Sequence, residues 1–237
     1  IAAGEFMSRP QNLFDESSDR THATDLAKKA NSVQQLKTIA AGCQACDLWK
    51  NATQTVFGEG PTEASLLLIG EQPGDKEDLA GHPFVGPAGR LLDECLREAG
   101  IDRDEVYVTN AVKHFKWSHD ERGKRRIHKK PSASEINACR PWLEAEIRVV
   151  KPKVLLCMGA SAAQAVLGKS ISVTRQRGEK LQSTLADNVL VTVHPSSILR
   201  VTNHDDREMQ RGLFVRDLER VARLLPTGKK KREPKIA

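Results

Sequence analysis

Residues 70–93, GEQPGDKEDLAGHPFVGPAGRLLD, decide how this chain is read. They follow an apolar run, SLLLI at 65–69, with the length and composition of a buried strand. They lead into a helical pattern that puts Leu91, Leu92, Cys95, Leu96 and Ala99 on one face. Between these elements lie the polar residues Glu71, Gln72, Asp75 and His82. The five glycines of the segment (Gly70, Gly74, Gly81, Gly86 and Gly89) let backbone approach a ligand closely. A loop at the carboxyl end of a parallel strand is where open α/β sheets build their sites.

Three further apolar runs read as strands: 106–109, Val154–Met158 and 189–193. Helical patterns separate them. Pro87 suits the opening of the helix after the glycine-rich loop, and Gly100 its close. A short helix is expected over 160–167, closed by Gly168, and a final one over about 206–225. Strands alternating with helices predict a three-layer α/β/α fold around a central four-stranded parallel sheet. No internal repeat is visible. Residues 1–6 precede the first methionine, Met7, and read as a cloning remnant. Residues 7–38 read as a loose polar arm with one short helix near 26–36, 39–226 as the single domain, and 227–237 as a basic tail.

The 237 residues carry a net charge of +6, and its placement matters more than its size. Residues 113–130 hold eight Lys or Arg against Asp120 and Glu121, and the tail repeats the theme. Clustered cations point to a polyanion such as nucleic acid; the alternative is a solvated loop and tail. No apolar run approaches the roughly 20 residues of a membrane span, and no secretory signal is visible. A reducing cytoplasm is therefore expected, where the five cysteines suggest metal or core roles before disulfides.

Cys43-Gln-Ala-Cys46 is a C-x2-C pair compatible with zinc, an iron–sulfur cluster or a redox dithiol. No thioredoxin-like strand precedes it, which weakens the dithiol reading. Cys139 lies just before Pro141, where one helix is expected to break and another to begin, exposing the thiol for ligation. Cys95 and Cys157 fall on apolar patterns and read as core. Three candidate ligands leave a fourth place open to Cys157 or a histidine.

The 70–93 segment resembles motif A of the uracil-DNA glycosylase superfamily. His194-Pro-Ser-Ser-Ile-Leu-Arg200, at the carboxyl end of the fourth strand, resembles its motif B, and the matches together cover roughly 43–200. In family 4 of that superfamily a cluster-binding cysteine closely follows a strand ending in Thr-Asn. Here the strand ends at Thr109-Asn110, and His114 stands where that cysteine would be. The resemblance thus implies a [4Fe–4S] cluster on Cys43, Cys46, His114 and Cys139, with a Cys3His zinc site as the rival.

The chemistry of the resemblance is excision of a flipped uracil. It implies that His194 donates to a uracil carbonyl, that Asn110 bonds the Watson–Crick edge, and that Phe84 stacks on the base. Backbone near Gly70 completes the pocket with Gln72, and Ser196, Ser197 and Arg200 hold phosphate and sugar.

Three departures from family 4 narrow the resemblance. Gln72 replaces the middle glycine of Gly-Glu-Gly-Pro-Gly, His114 replaces a cysteine, and GKRRIHKKP is inserted at 123–131. Together they resemble the UdgX branch. That implies attack by His128 on the anomeric carbon after uracil departs, leaving a covalent protein–DNA adduct. Glu71 would orient His128 and take its proton, while Lys124, Arg125 and Arg126 would grip phosphates. The expected partner is uracil-containing DNA, single-stranded by preference, bound by a monomer in a bacterial cytoplasm at the nucleoid. The rivals are an ordinary turnover glycosylase with His128 on a phosphate, a non-catalytic iron–sulfur DNA-binding module, and a nucleotide-binding Rossmann enzyme. The first turn, Gly-Glu-Gln-Pro-Gly, lacks the glycine pattern of the last.

Overall fold

The computed structural model describes residues 16–168 and 171–226. The expected cloning remnant, the start of the arm and the basic tail lie outside the described residues. In chain order the helices are α1 (Glu16–Lys29), α2 (Val33–Ala40), α3 (Asp75–Ala80), α4 (Pro87–Glu98), α5 (Ala133–Val150), α6 (Ala160–Leu167), α7 (Val173–Gln176), α8 (Pro195–Leu199) and α9 (His204–Ala222). The strands are β1 (Leu66–Gly70), β2 (Val106–Asn110), β3 (Trp117–His119), β4 (Arg126–His128), β5 (Val154–Met158), β6 (Lys180–Leu181) and β7 (Asn188–Thr192).

The main sheet has the order β2-β1-β5-β7-β6. Its first four strands are parallel, as the four apolar runs predict. The fifth, β6, is antiparallel to β7. Two residues, one of them a lysine, carry no periodic signal, so this edge strand exists only through its pairing. Alternation along the buried strands sorts the core into two faces. Leu67, Ile69, Tyr107, Leu155, Cys157 and Val191 pack with residues from α1, α2, α5 and α6. Leu66, Leu68, Val108, Leu156 and Leu190 pack with α4, α8 and α9. Cys95 and Cys157 are fully buried core residues. No described helix is long and apolar enough to cross a membrane.

Two expectations are corrected. The single short helix near 26–36 is two helices, broken at Asn31–Ser32, where the Ser32 hydroxyl caps α2 by accepting from the Gln35 N–H. Ala23, Ala27 and Ala30 are buried in the core, and Arg148 on α5 donates to the Ala27 and Ala30 carbonyls at 2.9 and 2.8 Å. The α5 helix also does not break at Pro141. A Ser132/Glu135 capping box starts it, and residues from Ile136 to Val150 bury one face. That burial outweighs the one backbone hydrogen bond proline cannot make.

A buried polar knot joins the layers at the end of β2. Lys113 and Glu146 are 1 % and 0 % exposed and pair at 2.5 Å. The ammonium also donates to Thr109 Oγ1 and the Asn110 carbonyl, both at 2.7 Å, which uses all three of its protons. Glu146 accepts further from Gly58 N–H, Tyr107 O–H and Thr109 O–H, each at 3.0 Å. Lys113→Met would leave a buried carboxylate without its counter-ion. The expected loss is about 3–5 kcal/mol of stability, read as a lower urea midpoint.

Candidate active site

Parallel pairing sets Gly70 beside Asn110 and Ile69 beside Cys157. The chain segments leaving β1, β2, β5 and β7 therefore meet at one edge of the sheet. They enclose a cavity of about 730 Å³ whose wall includes Glu71, Phe84, Asn110, His128, His194 and Arg200. Gln72 and Ser196 also line it, while Gly70, Ser197, Lys124, Arg125 and Arg126 do not.

Gly70 acts by what it lacks. A Cβ there would stand 2.2 Å from Asn110 Oδ1 and 2.8 Å from Phe84 Cζ, so only glycine lets these two side chains close on the strand end. Phe84 holds a left-handed backbone, φ 59°, strained for an aromatic residue. Its ring stacks near His194, with centroids 6.2 Å apart and planes at 25°. Asn110 is buried, and its side-chain amide has no hydrogen-bond partner among the described residues. The amide lines the cavity, where its donor and acceptor are available to a ligand edge that offers both.

His194 caps α8. Its Nδ1 accepts from the Ser196 N–H at 3.2 Å and lies 2.9 Å from Ser196 Oγ. That leaves the ring proton on Nε2 as a donor. Burial, with help from Arg200 and His128, pulls its pKa down to about 4, so the ring is a neutral donor. Ser197 Oγ donates to the His194 carbonyl at 2.7 Å, tightening the same turn rather than facing the cavity.

The basic insertion is a hairpin of β3 and β4, with Trp117 opposite His128. Asp120 fastens its tip by accepting from the backbone N–H groups of Lys124 and Arg125 at 2.7 and 3.1 Å. Both of those residues are exposed. Two expected contact residues instead hold the hairpin. The Gln72 amide donates to the Lys116 and Lys129 carbonyls, both at 3.1 Å, and accepts from the Lys116 N–H. Both of its amide protons are spent on the two legs of the hairpin. Arg126 donates to Asp75 and to the fully buried Asp78, each at 2.6 Å, and lies over the rings of Phe115 and Trp117. Its guanidinium is committed to protein rather than offered to phosphate. So held, His128 places Nε2 3.5 Å from Glu71 Oε1.

A second, small cavity is lined by Cys43, Cys46, His114 and Cys139, with Trp142 and Thr55. Cys157 is not on its wall, whereas His114 is. The donor set fits a soft metal group. The thiols are free, and burial pushes Cys46 up to about 11 and Cys139 higher still. Trp142 Nε1 donates to Cys43 Sγ and Lys113 N–H to Cys139 Sγ, both at 3.2 Å, contacts that suit thiolates. The Thr55 hydroxyl donates to the Ala40 carbonyl, so its oxygen accepts the Nε2 proton of His114 at 2.9 Å and leaves Nδ1 a lone pair. Among the described residues no three His, Cys, Asp or Glu side chains converge tightly enough for a single metal ion.

The uracil-DNA glycosylase superfamily model matches residues 57–219. The chain belongs to the uracil-DNA glycosylase superfamily. The type-4 uracil-DNA glycosylase of Thermotoga maritima is 37% identical over 179 residues, 75% of this chain and 86% of that protein. The type-4 enzyme of Sulfurisphaera tokodaii is 30% identical over 208 residues, 84% and 88% of the two chains. A type-5 uracil-DNA glycosylase of Thermus thermophilus is 31% identical over 127 residues, 47% and 53%.

Two residues of this glycosylase-family cavity escape a reading of the sequence. Lys130 lines it, though it counts in the sequence only as one cation of a run. Ser161 lines it from α6 and donates to Glu71 Oε2 at 2.5 Å. The only local signal is its place just after the β5 end, beside Gly159 at φ 98°. The hairpin anchor has a direct test. Arg126→Met removes both carboxylate contacts, so hydrogen exchange of amides 117–128 should accelerate by about tenfold or more while the β1 and β5 amides stay protected.

Proposed function

We propose that this chain is a uracil-DNA glycosylase of the UdgX type, which excises uracil and becomes joined to the abasic sugar through His128. The observation that carries this reading is His128 Nε2 set 3.5 Å from Glu71 Oε1, on the wall of the cavity shared by His194, Asn110 and Phe84. Asn110 reads the uracil edge, Phe84 stacks on the ring, and the His194 Nε2–H faces the charge that grows on a carbonyl oxygen. The C1′–N1 bond breaks with its electron pair leaving on uracil. Glu71 takes the Nε2 proton of His128, and the electron pair freed on Nε2 bonds to C1′. A tethered imidazole competes with water through its effective concentration. Lys124, Arg125, Ser196 and Arg200 serve phosphates. Single strands are favoured because an unstacked base flips at lower cost. The protein acts as a monomer in the cytoplasm.

Cys43, Cys46, His114 and Cys139 hold a [4Fe–4S] cluster in this reading. Bound there, it supplies a cross-link between the turn after α2, the strand end that carries Asn110, and α5. Cys139→Ser should cut the iron and sulfide content of the purified protein and lower its thermal midpoint.

The type-4 relatives favour a second reading, turnover glycosylase activity with Glu71 serving water. Single-stranded DNA with one uracil, run on a denaturing gel, separates the two. Capture predicts a shifted, heat-stable band that His128→Ser abolishes; turnover predicts free abasic DNA with no shifted band. The pH dependence adds a check. Burial lowers the His128 pKa below 6.5, and Arg200 adds to this against the opposing pull of Glu71. The imidazolium cannot attack, so adduct formation should fall through its half-maximum at a pH below 6.5.

A further inference from the structure

The Glu71 carboxylate has two oxygens with separate partners. Oε1 faces His128 Nε2 at 3.5 Å, and Oε2 accepts the Ser161 hydroxyl proton at 2.5 Å. The three residues come from different parts of the fold: Glu71 follows β1, His128 ends β4, and Ser161 stands in the first turn of α6 after β5. Ser161 is 1 % exposed, and Glu71 is its one hydrogen-bonding side-chain partner among the described residues. Helix serines commonly bond back to their own backbone. This one reaches across the sheet edge to a carboxylate.

We propose that Ser161 is the positioning residue of the capture step. It keeps Glu71 turned toward His128 and so decides whether the sugar cation is taken by histidine or by water. The inference rests on the covalent reading above. A carboxylate held at one oxygen by a short charge-assisted hydrogen bond cannot swing about its χ angles. Its other oxygen then stays in line to receive the proton that leaves His128 Nε2 as the Nε2–C1′ bond forms and the C1′–N1 pair departs on uracil. Without the serine hydroxyl, Glu71 can turn and orient a water molecule toward C1′. That water adds its oxygen to C1′, gives its proton to Glu71, and leaves a free abasic sugar.

The test compares wild type with Ser161→Ala under single-turnover conditions on single-stranded DNA carrying one uracil. Released uracil and the covalent band are quantified in the same samples. Ser161→Ala removes one oxygen and leaves the fold intact, which matching urea midpoints check. The expected result is a ratio of adduct to free abasic product lowered about 10-fold to 100-fold, the loss of one hydrogen bond to a charged group. An unchanged ratio would overturn the inference and leave the covalent reading standing. Release and adduct falling together would also overturn it, by making Ser161 a general support of the site. Wild type that releases uracil and forms no adduct would overturn the covalent reading and this inference with it.

Discussion

Everything at the business edge of the sheet hangs on the buried pair Lys113–Glu146. An ion pair this deep in the core recovers its desolvation cost only when every proton and lone pair is used, and here they are. The ammonium spends one proton on the carbonyl of Asn110, on the wall of the large cavity, and the Lys113 backbone N–H reaches Cys139 in the small thiol-lined cavity. The carboxylate gathers Gly58, Tyr107 and Thr109 around the end of β2. Burial and the adjacent carboxylate push the Tyr107 phenol upward, so it remains a donor. One knot thus fixes the end of β2, the helix α5 and the loop before β1 relative to one another.

The hairpin is a separate attachment on this frame. Its own two short strands are too small to be stable alone. It is held by side chains from outside it: the Gln72 amide across its legs, Asp75 and Asp78 on Arg126, and Glu135 on Lys116 at 2.8 Å. The glutamine that replaces a glycine and the inserted basic run therefore belong to one device. Two of its members are also charges or amides that a sequence reading assigns to DNA or base. The device leaves Lys124 and Arg125 exposed at the tip while His128 turns toward the cavity.

Burial shifts both histidines of the cavity toward the neutral form, and Arg200 and His128 add to the shift of His194. His194 lies deeper and is pulled to about 4, whereas His128, about half exposed, shifts less and feels Glu71 beside it. The outcome is two imidazoles shifted toward neutrality on the wall of one cavity. Arg200 adds positive charge beside both, which disfavours imidazolium in each ring.

The sequence by itself determined the four parallel strands, the glycine-rich loop as the site, the core roles of Cys95 and Cys157, and the membership of Glu71, Asn110, Phe84 and His194 in one cavity. These were legible because they rest on local signals: apolar runs of strand length, Gly and Pro at element ends, and motifs at strand termini. Tertiary structure alone decided the rest. The strand β6 and the unbroken α5 are products of pairing and burial that override local propensity. His114 lines the small cavity with the three thiols, whereas Cys157, on the same face of the sheet, is packed in the core off that cavity's wall. Gln72 and Arg126 read as ligand contacts in one dimension, yet their partners, Lys129, Asp75 and Asp78, lie about 50 residues away in the chain. Ser161 gave almost no signal for the same reason: a hydroxyl acquires its role only from the carboxylate that the fold brings to it.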